Sequence, residues 1–150
     1  MGGAAGRRAR RTRIPADTLC AYAATDYRVE APGPPFVLRI GRPAPALAAL
    51  LRATRSPGAA YLTACNPRSR PLPAWANRRR QARLRRLLAA QPWTLLEGRG
   101  QHPRGRWPAE ASLLVLGLSC AAARALGRRF QQNAIVWCGA DAVPRLVLLR

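Results

Sequence analysis

The order of the apolar runs from Tyr61 onward most constrains what this chain can become, because stretches of strand length alternate there with stretches of helical period. "YLTAC" is β-prone and stops at Asn66-Pro67. "AWANRRRQARLRRLLAAQ" carries Leu84, Leu87 and Leu88 on one stripe and keeps Arg78, Arg79, Arg83 and Arg86 largely off it, the pattern of an amphipathic helix. "WTLLEGRG" and "ASLLVLGL" read as strands joined by a glycine-rich loop from Gly98 to Pro108. "SCAAARALGRRFQQ" reads as a helix with Ala122, Ala123, Leu126 and Phe130 inward, and "NAIVWCGA" and "RLVLL" close the chain as a hairpin around Asp141 to Pro144. Strand, helix, strand, strand, helix, strand is the split βαβ pattern of ferredoxin-like folds.

Upstream, "DYRVEAPGPPFVLRIG" predicts two short strands around a Pro-Gly turn, and "APALAALLRATR" predicts a helix with Leu47, Leu50 and Leu51 on one side. The expected architecture is therefore α+β, a mainly antiparallel sheet with a ferredoxin-like core and about three helices on one face. With 150 residues, 49% of them hydrophobic, the chain suits one domain over 17–150 behind a disordered basic tail over 1–16 that holds five arginines and no acid. Arg7-Arg8 lacks the apolar stretch of a twin-arginine signal, and no secretory segment is seen, so a cytoplasmic location is expected. The longest charge-free apolar run, Ala111 to Ala123, falls short of the ~20 residues that span a bilayer.

A formal charge of +20 raises a nucleic-acid reading, since a basic surface gains affinity for phosphate by counterion release. All 26 basic residues are arginine, however, alongside abundant Ala, Gly and Pro, which a GC-rich coding sequence produces without selection for phosphate. Cys20, Cys65, Cys120 and Cys138 are scattered without a C-x-x-C pair or a histidine cluster, so no metal is expected and they read as reduced, mostly buried residues. No cofactor is implied.

The order of elements also allows a parity argument. If the strand at 61–65 climbs to a top end, Asn66 lies there, Asn77 begins the next helix there, and the strand at 93–97 climbs again to deliver Glu97, Gly98 and Gly100. The hairpin keeps Glu110 at that end, helix 119–132 rises to bring Gln132 and Asn133, and strand 36–40 adds Gly41 and Arg42. Asn77 and Gln81 share a face with Leu84 and Leu88, where an amide without a partner costs about 1–3 kcal/mol. Convergence at the top places Asn66, Asn77, Gln81, Gln132 and Asn133 around a polar pocket as ligand-binding candidates.

These same residues carry a resemblance. T-A-C-N-P at 63–67, Asn77 and Gln81, Gly98 and Gly100, W-P-A-E at 107–110 and Q-N-A at 132–134 resemble the bacterial family called domain of unknown function 3293. Its pattern runs T-A-W-N-P, N-x-x-x-Q, G-x-G, W-P-x-E and Q-N-A. The likeness extends from about Tyr27 to the C terminus, with two departures: Cys65 stands where the pattern has Trp, which removes an aromatic platform, and Gln131 stands where glycine is usual. It marks site positions and implies no activity.

The amides offer donors and acceptors but almost no acid-base capacity, which suits recognition better than proton transfer; the competing reading is that they cap the helix at 75–91 and tie loops together. Glu110 is the catalytic candidate, as a general base or the partner of a bound cation, with an internal salt bridge as its alternative; Glu97 shares the ambiguity. Gly98-Arg99-Gly100 reads as a turn, since G-x-G lacks the strand-to-helix setting of a dinucleotide loop. His102 stands alone, and Cys65, Ser69 and Thr63 are nucleophiles without an evident base. Two classes stay open: a small polar ligand bound at the loop end, with or without catalysis, and a basic RNA-binding module using the helix arginines with Trp75 and Trp107 for stacking.

Overall fold

A computed structural model describes residues 11–30, 32–105 and 107–150. Among them the chain forms α1 (Ala16–Ala24), β1 (Asp26–Glu30), β2 (Phe36–Leu38), α2 (Pro45–Ala53), β3 (Ala59–Leu62), α3 (Ala74–Ala89), β4 (Thr94–Gln101), β5 (Glu110–Leu116), α4 (Cys120–Arg129), β6 (Ala134–Cys138) and β7 (Arg145–Leu148). The strands make one sheet in the order β2-β1-β4-β5-β3-β6-β7. Every neighbouring pair is antiparallel. An α+β chain with an antiparallel sheet is what the sequence led us to expect; the described helices number four rather than three. No helix among the described residues is long and apolar enough to cross a membrane.

The additional helix is α1, "ADTLCAYAA", which buries none of its residues and so gives no apolar stripe to read. Residues 1–10 of the expected tail lie outside the described residues. The rest of that stretch is anchored: Ile14 is buried, and the Thr12 hydroxyl donates to the carbonyl of Arg150.

Helices cover both faces of the sheet instead of one. Along β3 all four residues are buried, and successive side chains must point to opposite faces. Ala59 and Tyr61 join Leu47 and Leu51 of α2 in one apolar cluster. Ala60 and Leu62 join Leu84 and Leu88 of α3 and Ala123 of α4 in another. The uninterrupted apolar runs of β3 and β5 are the physical reason, because a strand without polar alternation needs cover on both sides.

The glycine pair is not in a loop. β4 continues through Gly98, paired with Val29 and Ser112, and Gly100, paired with Tyr27 and Glu110. A Cβ on Gly98 would stand 2.7 Å from the Tyr61 hydroxyl and 2.8 Å from the Arg28 carbonyl. Its absence lets Tyr61 cross β4 and donate to the carbonyl of Arg28 at 2.8 Å.

The antiparallel ladders put the end of β3, the end of β4, and the starts of β1, β5 and β6 at one end of the sheet. Asn66 follows the first of these ends. Glu110 opens β5, and Gln132 and Asn133 precede β6.

Candidate functional site

A cleft of about 340 Å³ opens at that end, on the α2 face of the sheet. Tyr27, Gly100, Tyr61, Thr63 and Ser112 form its floor, and α1 walls it through Thr18, Ala21 and Tyr22. Asn66, Ser69, Gln132, His102 and Trp107 close the rim.

Asn66 is the organising residue. Its backbone is left-handed, at φ 46° and ψ 66°, a conformation Asn tolerates better than most residues. This turns the chain out of β3 and into the 3₁₀ turn at Pro67–Ser69. The Asn66 side-chain amide donates to Glu110 Oε1 at 2.7 Å. Its carbonyl oxygen accepts from Asn77 Nδ2 at 2.8 Å and from the Leu72 backbone N–H at 2.9 Å. Asn77 Oδ1 in turn accepts the Asn66 backbone N–H at 2.9 Å. Asn77, on the first turn of α3, therefore sits behind Asn66 and does not line the cleft.

Gln81, one turn further along α3, lies on the opposite face of the sheet. Its Oε1 accepts the Ala64 backbone N–H at 2.9 Å, while its buried Nε2 has no hydrogen-bond partner among the described residues. Gln132 lines the cleft and donates through Nε2 to the carbonyls of Cys65 at 3.0 Å and Phe130 at 3.3 Å. Asn133 is buried beside it. Its amide donates to Tyr22 Oη at 3.0 Å and Ser69 Oγ at 3.3 Å, and those two hydroxyls are hydrogen-bonded to each other. The five amides thus lie at one end of the sheet, with Asn66 and Gln132 on the cleft, Asn77 and Asn133 behind its wall, and Gln81 on the opposite face.

Glu110 lines the cleft, and burial raises its carboxyl pKa above the ordinary value, a rise that the Asn66 hydrogen bond opposes. Among the described residues it pairs with no arginine; the ion pairs there join Arg39 to Asp26, Arg85 to Glu97 and Arg145 to Asp141. Glu97 is thus a surface ion-pair partner. Burial also pushes the Tyr27 and Tyr61 hydroxyls and the Cys65 thiol upward, so all three stay protonated near neutral pH. Their rings meet edge to face, with centroids 5.3 Å apart, in the case of Tyr27 and Tyr61.

Several contributors were not singled out in the sequence. Tyr22 comes from the helix without a stripe. Arg80 donates to the Ala64 carbonyl at 2.7 Å and the Phe130 carbonyl at 2.5 Å, and so ties the end of β3 to the end of α4. The signal was its spacing: Arg80, Leu84 and Leu88 fall four apart, which puts one arginine on the buried stripe. His102 and Trp107 reach the rim with ring centroids 5.1 Å apart, and His102 Nδ1 accepts from the Arg104 backbone N–H at 3.2 Å. Trp75, 58% exposed on α3, does not line the cleft.

Neither the curated proteins nor the solved structures yield a match to the chain. The family model described as protein of unknown function (DUF3293) matches residues 62–135, the stretch from the end of β3 into β6 that contains Asn66, Asn77, Gln81, Glu110, Gln132 and Asn133, and over that stretch the chain is similar to this family.

Proposed function

We propose that the cleft binds a small polar ligand, contacted by Asn66, Glu110 and Gln132, with Asn77 and Asn133 fixing the wall and Gln81 holding the end of β3 from the opposite face. The observation that carries this reading is the environment of Glu110. The chain holds 26 arginines and six acids, yet this half-buried carboxyl takes one amide as its partner among the described residues and leaves Oε2 unpaired beside a cleft. An arginine partner would hold the carboxyl ionised and occupy its oxygens, whereas a carboxyl that meets a ligand must leave an oxygen open.

Recognition fits the surrounding groups better than nucleophilic chemistry. Thr63 donates its proton to the Ala111 carbonyl, Ser69 is bonded to Tyr22, and the Cys65 thiol is held in its protonated form. The strand order β4-β5-β3-β6, with α3 linking β3 to β4 and α4 linking β5 to β6, supports reading this part of the sheet as a split βαβ core.

A thermal-shift screen of nucleosides, sugars and amino acids tests the binding reading on the parent and on Gly100→Val. A Cβ on Gly100 would meet nothing closer than Thr25 Cγ2 at 3.9 Å and Ser112 Oγ at 4.0 Å, so valine fits the strand and fills the cleft floor. At least one compound is expected to raise the melting temperature of the parent and not of the variant. If no compound shifts the parent, the cleft is not a ligand site.

A further inference from the structure

Five of the eight hydroxyl groups that line the cleft donate their protons to backbone carbonyls. Tyr27 Oη donates to the Tyr22 carbonyl at 2.7 Å, and Tyr61 Oη donates to the Arg28 carbonyl at 2.8 Å. Thr25 Oγ1 donates to the Ala21 carbonyl at 2.7 Å and Thr63 Oγ1 to the Ala111 carbonyl at 2.8 Å. Ser112 Oγ donates to the Glu110 carbonyl at 3.1 Å. A hydroxyl has one proton, so each of these five groups has only lone pairs left to offer.

The amide and the acid follow the same rule. Both Gln132 hydrogen bonds run from Nε2, which leaves Oε1 without a donor among the described residues. Glu110 Oε2 has no partner among the described residues. Against these acceptors stand fewer donors: the second amide proton of Asn66, the Thr18 hydroxyl, one proton of the Tyr22–Ser69 pair, and His102 and the Trp107 indole N–H at the rim. No arginine lines the cleft among the described residues.

We propose that the cleft is an acceptor-lined site for a small organic cation, an ammonium or guanidinium group seated with its N–H donors on Glu110 Oε2 and the surrounding lone pairs. The proposal rests on the small-ligand reading and names the chemistry of that ligand. Phosphates and carboxylates would bring lone pairs to a wall rich in lone pairs, with no guanidinium among the described residues that line it. A cation would also favour the ionised form of Glu110, which burial opposes. The net charge of +20 repels cations at long range, but in ~0.15 M salt that field decays over about 8 Å, and the wall decides.

Isothermal titration of the full chain at pH 7.5 and physiological salt tests it. Agmatine, methylguanidinium and glucosamine form the cationic set; 1,5-pentanediol, methylurea and glucose are neutral analogues, and glutarate, acetate and glucose 6-phosphate are anionic ones. At least one cation is expected to bind tenfold or more tightly than its neutral analogue, to lose tenfold or more with Glu110→Gln, and to show no binding with Gly100→Val. The two variants test charge and place separately, so either one alone is decisive if the other does not fold. Neutral or anionic compounds that bind at least as tightly as the cations, and are lost with Gly100→Val, would overturn the cation proposal and leave the small-ligand reading standing. Cation binding that survives both substitutions would place it elsewhere and overturn the proposal. Silence from all nine compounds would count against both readings.

Discussion

Asn66 gives its side-chain amide to Glu110 at 2.7 Å while Asn77 holds the Asn66 backbone N–H at 2.9 Å, so one asparagine on α3 fixes the residue that positions the cleft carboxyl. The relationship separates scaffold from site. Asn77 makes its bonds to the turn after β3, and Glu110 presents an oxygen to the cleft.

Asn77→Ala is therefore expected to cost stability. It leaves the Asn66 N–H without its acceptor and removes one donor to Asn66 Oδ1, losses on the order of 1–3 kcal/mol. Urea denaturation checks this: the midpoint should fall at an unchanged slope. An unchanged midpoint would mean that the turn is held by something other than Asn77.

Glu110→Gln should behave in the opposite way, with a defined dependence on pH. The folded-state pKa of Glu110 lies above its unfolded value, so between the two the folded state binds more protons and the parent loses stability as pH rises. Glutamine has no charge to desolvate. The melting temperature of the variant relative to the parent should thus climb from pH 4 toward pH 8. Tyr27, Tyr61 and Cys65 stay protonated in this window, and His102 on the rim is common to both proteins. A relative melting temperature that falls with pH would mean that ionised Glu110 stabilises the fold.

Tyr22→Phe should loosen α1 and leave the sheet intact. The helix buries no residue, and the Tyr22 hydroxyl joins it to Ser69 and to the buried Asn133 amide. Amide hydrogen exchange over residues 16–24 should quicken while exchange in β3 and β5 stays at parent rates. Equal protection of α1 in both proteins would show that Ile14, the Tyr27 hydroxyl on the Tyr22 carbonyl and the backbone hold it without the Tyr22 hydroxyl.

The sequence carried the order of the elements and the end at which the amides meet, because strand direction follows from counting reversals. It did not carry which amides face the cleft. Asn66 and Asn77 are alike in composition and location, and only the left-handed turn at Asn66 decides that one reaches Glu110 and the other stands behind it. α1 was illegible for a related reason, since it is held by hydrogen bonds and by the preceding Ile14 instead of by an apolar stripe of its own. The burial of both sheet faces ran against the expected one-sided cover, although the consecutive apolar residues of β3 and β5 call for it. Gly98 and Gly100 read locally as a turn, and it takes Tyr61 crossing from β3 to explain a glycine inside β4.

Nucleic-acid affinity is expected to be weak and electrostatic. Arg78, Arg79, Arg83 and Arg86 are exposed on α3, whose apolar side packs on the sheet face opposite the cleft. Filter binding to single-stranded RNA of several sequences should show no preference and should fall steeply as salt approaches physiological strength. Tight, salt-resistant binding to one sequence would make the arginine surface the functional one.

Chemical-shift mapping on isotopically labelled protein with a mixed library of small polar compounds addresses the cleft itself. The account predicts that binders perturb the amides of Thr25, Thr63, Gly100 and Ser112 and lose their effect with Gly100→Val. Binders that instead perturb the exposed arginines of α3, or a library that leaves those four amides unmoved, would contradict it.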